Sequence, residues 1–370
     1  MFSRIAARTS PDLQRVAAAV GEVIEPESGL SLDRLAAVGT VRDRGGRVHV
    51  PVALLAGDYP LADELRAAVV AAAGSVAGVR ETVVELAPMG QRDRVELGER
   101  LRAAAPPATA TPRIYAVASG KGGVGKSTVT ANLAVALAAT GQRVGVLDAD
   151  VWGYSIPQLF GVHRTPIALG GVMLPVQAHG VALISTGFFV ADGTPVVWRG
   201  PMLHKALQQF LTDVAWGGLD VLLLDLPPGT GDITMSLLEL VPDAALLAVT
   251  TPQAAARTVA TRVGRMAREA GMPIAGVVEN MSASVCAGCG AHTAVFGSGG
   301  GAQLAAEVDA PLLGQVPLDV ELREAGDRGR PVVLDSPAAA SAVELTRIAA
   351  ALPAVRRSLL RRSLPLSVSS

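Results

Sequence analysis

Residues 117–128 read Val-Ala-Ser-Gly-Lys-Gly-Gly-Val-Gly-Lys-Ser-Thr, and this stretch carries a recognisable structural motif. It fills the pattern G-x-x-x-x-G-K-[ST], in which glycines let successive backbone N–H groups curl around a phosphate chain. An apolar run precedes the loop and a helical pattern follows it, so the helix dipole favours a bound anion. This context disfavours the alternative of a glycine-rich turn that binds nothing. The predicted phosphate site consists of Gly120, Lys121, Gly122, Gly123, Val124, Gly125, Lys126, Ser127 and Thr128.

The use of lysine supports this site. The chain contains 32 lysine and arginine residues, but its only lysines are Lys121, Lys126 and Lys205. The two that lie in the loop are placed where a compact ammonium fits among phosphate oxygens better than a planar guanidinium does.

Length and charge limit the classes of protein to consider. The chain has 370 residues and 50% hydrophobic content, which favours two domains with a buried core. A formal net charge of -1 gives no electrostatic footprint for nucleic acid or for an anionic membrane. We find neither a signal peptide nor an apolar run near the roughly 18 residues of a membrane span, and the two cysteines allow no disulfide framework. We therefore expect a cytoplasmic protein without nucleic-acid binding or stable membrane association.

The first 90 residues predict a small α+β domain. We expect a helix from Pro11 to Val20 capped by Ser10, and a hairpin of two strands at 37–41 and 47–55. A helix at 61–73 and a strand at 79–86 complete this domain. Prolines and small residues then predict a linker over residues 91–112.

From residue 113 to about 355, strand and helix patterns alternate, and the tail 356–370 is expected to be loose. Near-continuous apolar strands separated by helices predict an α/β fold, a mostly parallel sheet covered by helices on both faces. The predicted strands are 114–117, 144–147, 181–184, 221–224, 245–249, 274–278 and 312–316. The predicted helices are 127–140, 202–215, 233–240, 254–270, 301–308 and 338–352.

Acidic residues follow several of these strands, at the edge of the sheet where ligands bind in parallel sheets. Asp148 and Asp150 follow one strand, and Asp225 ends an apolar run. A carboxylate at the end of such a run beside a phosphate loop is typical of a residue near Mg²⁺. We predict that Asp225 lies near the Mg²⁺ ion and that Ser127 binds this ion directly.

The run Gly-Lys-Gly-Gly-Val-Gly-Lys-Ser resembles the deviant Walker A motif of the MinD, ParA and nitrogenase iron protein superfamily of P-loop ATPases. The resemblance implies a homodimer that closes around ATP, with Lys121 reaching the partner's nucleotide and Lys126 contacting its own. Asp150 begins Asp-Val-Trp-Gly-Tyr-Ser, which resembles switch I, and the resemblance implies that Asp150 positions or activates the attacking water. Asp232 closes a segment that resembles switch II.

Several motifs resemble the Mrp/ApbC family of iron-sulfur cluster carriers. They are Trp198-Arg-Gly-Pro-Met202, Asp225-Leu-Pro-Pro-Gly-Thr-Gly-Asp232, Thr251-Pro-Gln253, Glu279-Asn-Met-Ser282 and Cys286-Ala-Gly-Cys289. This family resemblance implies ATP hydrolysis coupled to loading or transfer of a cluster, with apo iron-sulfur proteins and cluster assembly proteins as partners. It also implies that Asn280 contacts adenine and that Cys286 and Cys289 hold a [4Fe-4S] cluster that bridges the dimer.

Alternatives remain both for the metal that the thiol pair binds and for the function of the protein. The thiol pair, as soft ligands, could instead bind zinc with His292, or could stay idle. A MinD/ParA-type positioning ATPase and a nitrogenase-iron-protein-like reductase are the alternative functions, and the first of these needs no thiol pair. The N-terminal segment resembles a small iron-sulfur assembly domain, with Glu25-Pro26-Glu27 in place of Asp-Pro-Glu. Because Tyr59-Pro60 stands where that family often has Cys-Pro, we predict no metal ligand in this domain.

Overall fold

A computed structural model describes residues 10–57, 59, 61–103, 112–190, 200–229, 239–286 and 288–354. These residues form two compact units. The N-terminal unit contains the described residues of 1–105 together with the segments Pro166–Gln177 and Asp213–Gly217. The P-loop unit contains the described residues of 106–165, 178–212 and 218–370. Asp232, the motif residues Trp198 and Arg199, most of the expected helix 233–240 and the tail 356–370 lie outside the described residues.

The described strands and helices are numbered in chain order. The strands are β1 (Arg42–Arg44), β2 (Arg47–Leu54), β3 (Glu81–Pro88), β4 (Arg113–Ser119), β5 (Val144–Asp148), β6 (Ala168–Leu169), β7 (Val172–Met173), β8 (Val176–Ala178), β9 (Val181–Ser185), β10 (Val221–Asp225), β11 (Ala245–Thr250), β12 (Ile274–Val285), β13 (His292–Thr293) and β14 (Leu312–Leu318). The helices are α1 (Leu13–Gly21), α2 (Ala62–Gly74), α3 (Gln91–Ala103), α4 (Lys126–Ala138), α5 (Ile156–Leu159), α6 (Gly200–Thr212), α7 (Ala254–Glu269), α8 (Gly300–Glu307), α9 (Val320–Asp327), α10 (Val332–Asp335) and α11 (Ala340–Ala351).

In the N-terminal unit, β1 and β3 flank β2, which pairs antiparallel with β1 and parallel with β3. Side chains along β2 alternate between buried and more exposed, as expected for a sheet with one covered face. Val48 and Val50 from β2 enter a core that also buries Val20 of α1 and Val69 of α2. The expected α+β layer of helices on a small sheet is therefore present.

Two expectations at the start of this unit are wrong in detail. Asp12, rather than Ser10, caps α1, because its carboxylate accepts the backbone N–H groups of the first helical turn. The expected strand 37–41 contributes only an isolated bridge between Val38 and Val52. The strand that pairs with β2 instead begins at Arg42, because the turn at 45–46 fixes the hairpin register.

The expected linker is helical over its first part, since α3 occupies residues 91–103. Most of α3 is charged, but Leu97 and Gly98 are buried. A Cβ atom on Gly98 would lie 2.2 Å from the carbonyl oxygen of Leu169, so the helix packs closely on the β6–β7 hairpin. The sequence pattern of α3 alone does not reveal this partner, which comes from about 70 residues further along the chain.

The P-loop unit confirms the predicted parallel sheet. Its seven parallel strands lie in the order β14-β12-β11-β4-β10-β5-β9, with β8 beside β9. Helices α4, α10 and α11 pack together, and α7 packs with α8, so two helix layers cover the sheet. No helix in the described part of the chain is long and apolar enough to cross a membrane.

Candidate functional site

The phosphate loop lies between β4 and α4, in the strand–loop–helix context expected from the sequence. Gly123 and Gly125 adopt left-handed φ angles of 79° and 78°. A Cβ atom on Gly125 would lie 2.2 Å from Nδ2 of Asn280, and one on Gly120 would lie 2.3 Å from the backbone nitrogen of Ala260. The loop therefore needs glycine both for its backbone conformation and for close contact with β12 and α7.

The loop forms one wall of a cavity of about 550 Å³. Residues 150–155 and the segment after β10 form the other walls. The cavity is lined by Ser119, Lys121, Gly122, Gly123, Val124, Gly125, Lys126, Ser127, Thr128, Asp150, Trp152, Gly153, Ser155, Pro227 and Pro228. The structure thus brings Asp150 and most of the predicted phosphate-binding residues to one cavity.

Asp225 is fully buried and contacts two residues that line this cavity. Lys126 Nζ lies 2.7 Å from Asp225 Oδ2, and Ser127 Oγ donates a 2.5 Å hydrogen bond to the same oxygen. Thr130 Oγ1 donates to the other carboxylate oxygen at 2.8 Å. Carboxylate and hydroxyl oxygens are hard ligands suited to Mg²⁺, so the donor set of Ser127 and Asp225 fits this ion. A bound phosphate would compete with Asp225 for the Lys126 ammonium.

Two further carboxylates follow β5. Burial raises the pKa of Asp148 to about 7, and the nearby Asp225 charge adds to this effect, while Lys126 opposes it. Burial also raises the pKa of Asp150, against the opposing effects of Lys126 and of the Gly153 N–H group. A carboxylate with a raised pKa is a better proton acceptor, which suits Asp150 to general-base work at the cavity wall.

Lys121 lines the cavity, and its Nζ donates a 2.7 Å hydrogen bond to Oε1 of Gln253, the residue before α7. A contact of Lys121 with a second subunit stays a prediction. Asn280 is buried beneath the loop and donates to the carbonyl oxygen of Val124 at 2.9 Å. Its side chain therefore supports the loop, and its contact with adenine also stays a prediction.

Cys286 and Cys289 lie outside the lining of the cavity, on a hairpin formed by the end of β12 and β13. Backbone hydrogen bonds from Gly290 to Cys286 and from Cys286 to Ala291 close this turn. Both thiols are exposed. Within the described ranges, no three His, Cys, Asp or Glu side chains are grouped so that they could hold a metal ion.

The turn favours the thiolate form of Cys286, because the N–H groups of Cys289 and Gly288 hydrogen-bond to its sulfur and lower its pKa. We predict that Cys286, in a Cys289→Ala variant, is alkylated by iodoacetamide with a pH midpoint below that of the same variant unfolded in urea. The rate of modification as a function of pH measures this difference. Equal midpoints in the folded and unfolded samples would show that the turn does not stabilise the thiolate.

In the N-terminal unit, the buried Glu25 carboxylate accepts the backbone N–H groups of Glu27 and Ser28 at 3.0 Å and 2.7 Å. The hydroxyl group of Tyr59 also donates to this carboxylate. Tyr59 therefore stabilises a turn at the position where the resembled family often carries a thiol.

Sequence reasoning gave no role to several residues that complete the site. Thr130 binds Asp225, Ser185 binds Asp148 and Gln253 binds Lys121. A signal exists for Thr130, because it is a polar residue one helical turn after Lys126 and therefore lies on the same face of the helix. The partners of Ser185 and Gln253 are distant in sequence and depend on strand order.

Comparison with known families gives two matches. Residues 110–353 match the model of the NUBPL iron-transfer P-loop NTPases, and residues 13–86 match that of an iron-sulfur cluster assembly protein. An iron-sulfur cluster carrier protein of Mycobacterium leprae is 46% identical over 98% of both chains. One of Deinococcus radiodurans is 41% identical and covers 90% of this chain and 93% of its own.

Solved structures of a nucleotide-binding protein and of an ATPase are also similar to this chain. A nucleotide-binding protein from Archaeoglobus fulgidus in complex with ADP is 35% identical, with a TM-score of 0.54. The match covers 63% of this chain and 91% of that one. The cell division ATPase MinD of Pyrococcus furiosus is 26% identical with a TM-score of 0.50, over 65% of this chain and 98% of its own.

Proposed function

We propose, from the premise that this chain belongs to the NUBPL family of iron-transfer P-loop NTPases, that it is an ATP-hydrolysing carrier of iron-sulfur clusters. It binds a cluster and transfers it to apo-proteins. The observation that carries this proposal is one fold unit that holds both a complete phosphate loop and an exposed pair of thiols.

The residues at the cavity have different roles in ATP hydrolysis. The loop N–H groups and Lys126 bind the phosphates, and Lys121 adds a second charge, which we assign to the partner's nucleotide. Ser127 and Asp225 would hold Mg²⁺, which neutralises charge on the phosphates when it is bound. Asp150 orients the attacking water and accepts its proton, so hydrolysis depends on positioning and charge rather than on a covalent intermediate. We also assign the adenine contact to Asn280.

The cluster site requires two subunits in this proposal. Thiolates are soft ligands that suit iron-sulfur clusters, and a [4Fe-4S] cluster ordinarily takes four cysteines. One chain has two cysteines. A two-fold axis brings two identical pairs together, and the role of Lys121 across the interface needs the same axis. We therefore propose a homodimer with the cluster between the two hairpins.

Replacement of Asp150 tests its catalytic role. We predict that Asp150→Asn binds ATP normally but hydrolyses it roughly 10²-fold more slowly or worse, since a positioned acid–base group typically contributes 10²- to 10⁴-fold. Binding of a fluorescent ATP analogue and phosphate release under single-turnover conditions measure the two effects separately. Loss of ATP binding instead would assign Asp150 a structural role.

Cluster transfer tests the function as a whole. The protein is loaded anaerobically with iron and sulfide, freed of excess reagents and mixed with an apo-enzyme whose activity requires a [4Fe-4S] cluster. We expect activity to return even in the presence of an iron chelator, and faster than with free iron and sulfide. If the chelator blocks reactivation completely, the protein releases iron and does not transfer a cluster.

A further inference from the structure

The segment that carries Asp150 is held at both ends by Asp148. Asp148 Oδ1 accepts the backbone N–H of Asp150 at 3.2 Å, and Oδ2 accepts that of Ile156 at 3.4 Å. We call residues 149–156 the switch segment. The fully buried Asp148 side chain thus connects the end of β5 to the point where the switch segment enters α5.

Asp148 is in turn attached to the turn that follows β9. Ser185 lies opposite Asp148 in the parallel β5–β9 pair, and its Oγ donates to Asp148 Oδ2 at 2.9 Å. Ser185 Oγ in turn accepts the backbone N–H of Gly187 at 3.0 Å. The switch segment and residues 185–187 are therefore joined by a continuous chain of hydrogen bonds, of which those to Asp148 are buried.

Tyr154 makes a second contact between the same two segments. A Cβ atom built on Gly187 would lie 2.4 Å from Cδ2 and 2.9 Å from Cε2 of Tyr154, so the ring rests directly on the Gly187 backbone. Gly187 is not among the residues with positive φ, and its backbone conformation therefore does not require glycine. The close approach of the tyrosine ring does require it.

The position of Tyr154 bears directly on Asp150. Gly153, the residue before Tyr154, donates its backbone N–H to Asp150 Oδ1 at 3.0 Å. The donor of this hydrogen bond lies in the peptide between Trp152 and Gly153, so the short stretch of backbone that carries the Tyr154 ring also carries the N–H that contacts Asp150. The ring contact and the Asp150 carboxylate are therefore connected through residues 153 and 154 of the backbone.

We propose that Tyr154, seated on Gly187, is a positioning residue that holds the Asp150 carboxylate in its hydrolytic orientation. This inference rests on the proposed role of Asp150. Gly187 lies outside the cavity lining. The inference therefore predicts that Gly187 affects the rate of hydrolysis but not the affinity for nucleotide.

Four variants of the full chain test the inference: Tyr154→Ala, Tyr154→Phe, Gly187→Ala and Asp150→Asn. Tyr154→Ala removes the ring, and Gly187→Ala displaces it from the other side. We expect both to lower the single-turnover rate of ATP hydrolysis by roughly 10- to 100-fold, since a misplacement of about 1 Å can cost 10²-fold. The Kd for an ATP analogue should stay within roughly twofold of the parent, and Tyr154→Phe, which keeps the ring, should hydrolyse ATP at the parent rate.

The outcomes separate this inference from the proposed function. If Asp150→Asn is slow but Tyr154→Ala and Gly187→Ala hydrolyse ATP at the parent rate, the positioning role is wrong and the role of Asp150 stands. If Asp150→Asn is as fast as the parent, both fail. A loss of rate explained by weaker ATP binding, or an equal loss in Tyr154→Phe, would also overturn the positioning role. Should Tyr154→Ala fail to fold, as judged by thermal melting, Gly187→Ala and Tyr154→Phe give the same comparison.

Discussion

The Lys126→Ala variant is expected to lose ATP hydrolysis to the background level. Lys126 supplies the point charge at the start of α4, beside the backbone N–H groups that cradle the phosphates. Loss of a single donor that stabilises transition-state charge typically costs 10²- to 10³-fold in rate, and here the same group also binds the substrate. Steady-state phosphate release and ATP-analogue binding measure the two losses. The matched control is Lys205→Ala, which removes an exposed lysine outside the cavity lining and should leave both quantities unchanged.

Stability has to be separated from catalysis in this test. Lys126 is almost completely buried against Asp225, and removal of one partner of a buried ion pair costs about 3–5 kcal/mol. A Lys126→Arg variant keeps a cation beside Asp225 but presents a planar group where a compact ammonium is needed. We expect it to melt near the parent temperature and still to lose hydrolysis. A folded Lys126→Ala variant whose ATPase rate lies within about twofold of the parent rate would contradict the nucleotide site proposed from the loop.

The second large effect is expected when either thiol of the pair is replaced. We predict that Cys286→Ala and Cys289→Ala each abolish cluster binding and leave ATP binding intact. Two exposed thiols on one turn are the only cysteines of the chain, so each substitution leaves a proposed dimer with only two of four ligands. Visible absorbance, iron content and ATP-analogue binding after anaerobic reconstitution test this prediction.

His292→Ala is the control that distinguishes iron-sulfur from zinc coordination. His292 lies on β13, across the hairpin from Val285. In the proposed four-thiolate site it is not a ligand, and the variant should bind a cluster at the parent level. Loss of all metal from His292→Ala would point to a histidine ligand and to a different site.

The parallel sheet could be predicted because each of its strands carries its own signal. A strand buried on both faces reads as a continuous apolar run, as in Leu222-Leu-Leu, and glycine or proline marks its ends. The phosphate loop could be predicted for a related reason, since the backbone conformation at Gly123 and Gly125 excludes other residues. Burial of a strand and the backbone conformation of the loop each restrict the residues at the same positions, so both can be recognised from a short stretch of sequence.

Features that depend on distant parts of the chain could not be predicted in this way. Helix α3 has one buried stripe, and the β6–β7 hairpin that it packs on is inserted between elements of the other unit. The link between Asp148 and Ser185 exists because β5 and β9 are neighbours in the sheet. No spacing rule predicts that order from the sequence alone, and the same holds for the contact of Tyr154 with Gly187.

The fold alone does not separate a cluster carrier from a positioning ATPase. Pyrococcus furiosus MinD, at 26% identity, shows a similar fold over 98% of its length. The thiol pair gives the physical distinction, since a positioning ATPase has no need of soft metal ligands. Binding to DNA or to a stable membrane site is not part of the proposal, in keeping with a formal net charge of -1.

The metal content of the assembled protein tests the central claim most directly. Protein reconstituted anaerobically with iron and sulfide is separated by size in the presence of ATP, and iron, sulfide, zinc and protein are quantified in each fraction. A cluster held by two thiolates from each subunit predicts a dimer with about four irons, and a Mössbauer spectrum typical of a [4Fe-4S] centre. A monomer that retains a full cluster, or zinc as the only metal after strictly anaerobic purification, would contradict the account.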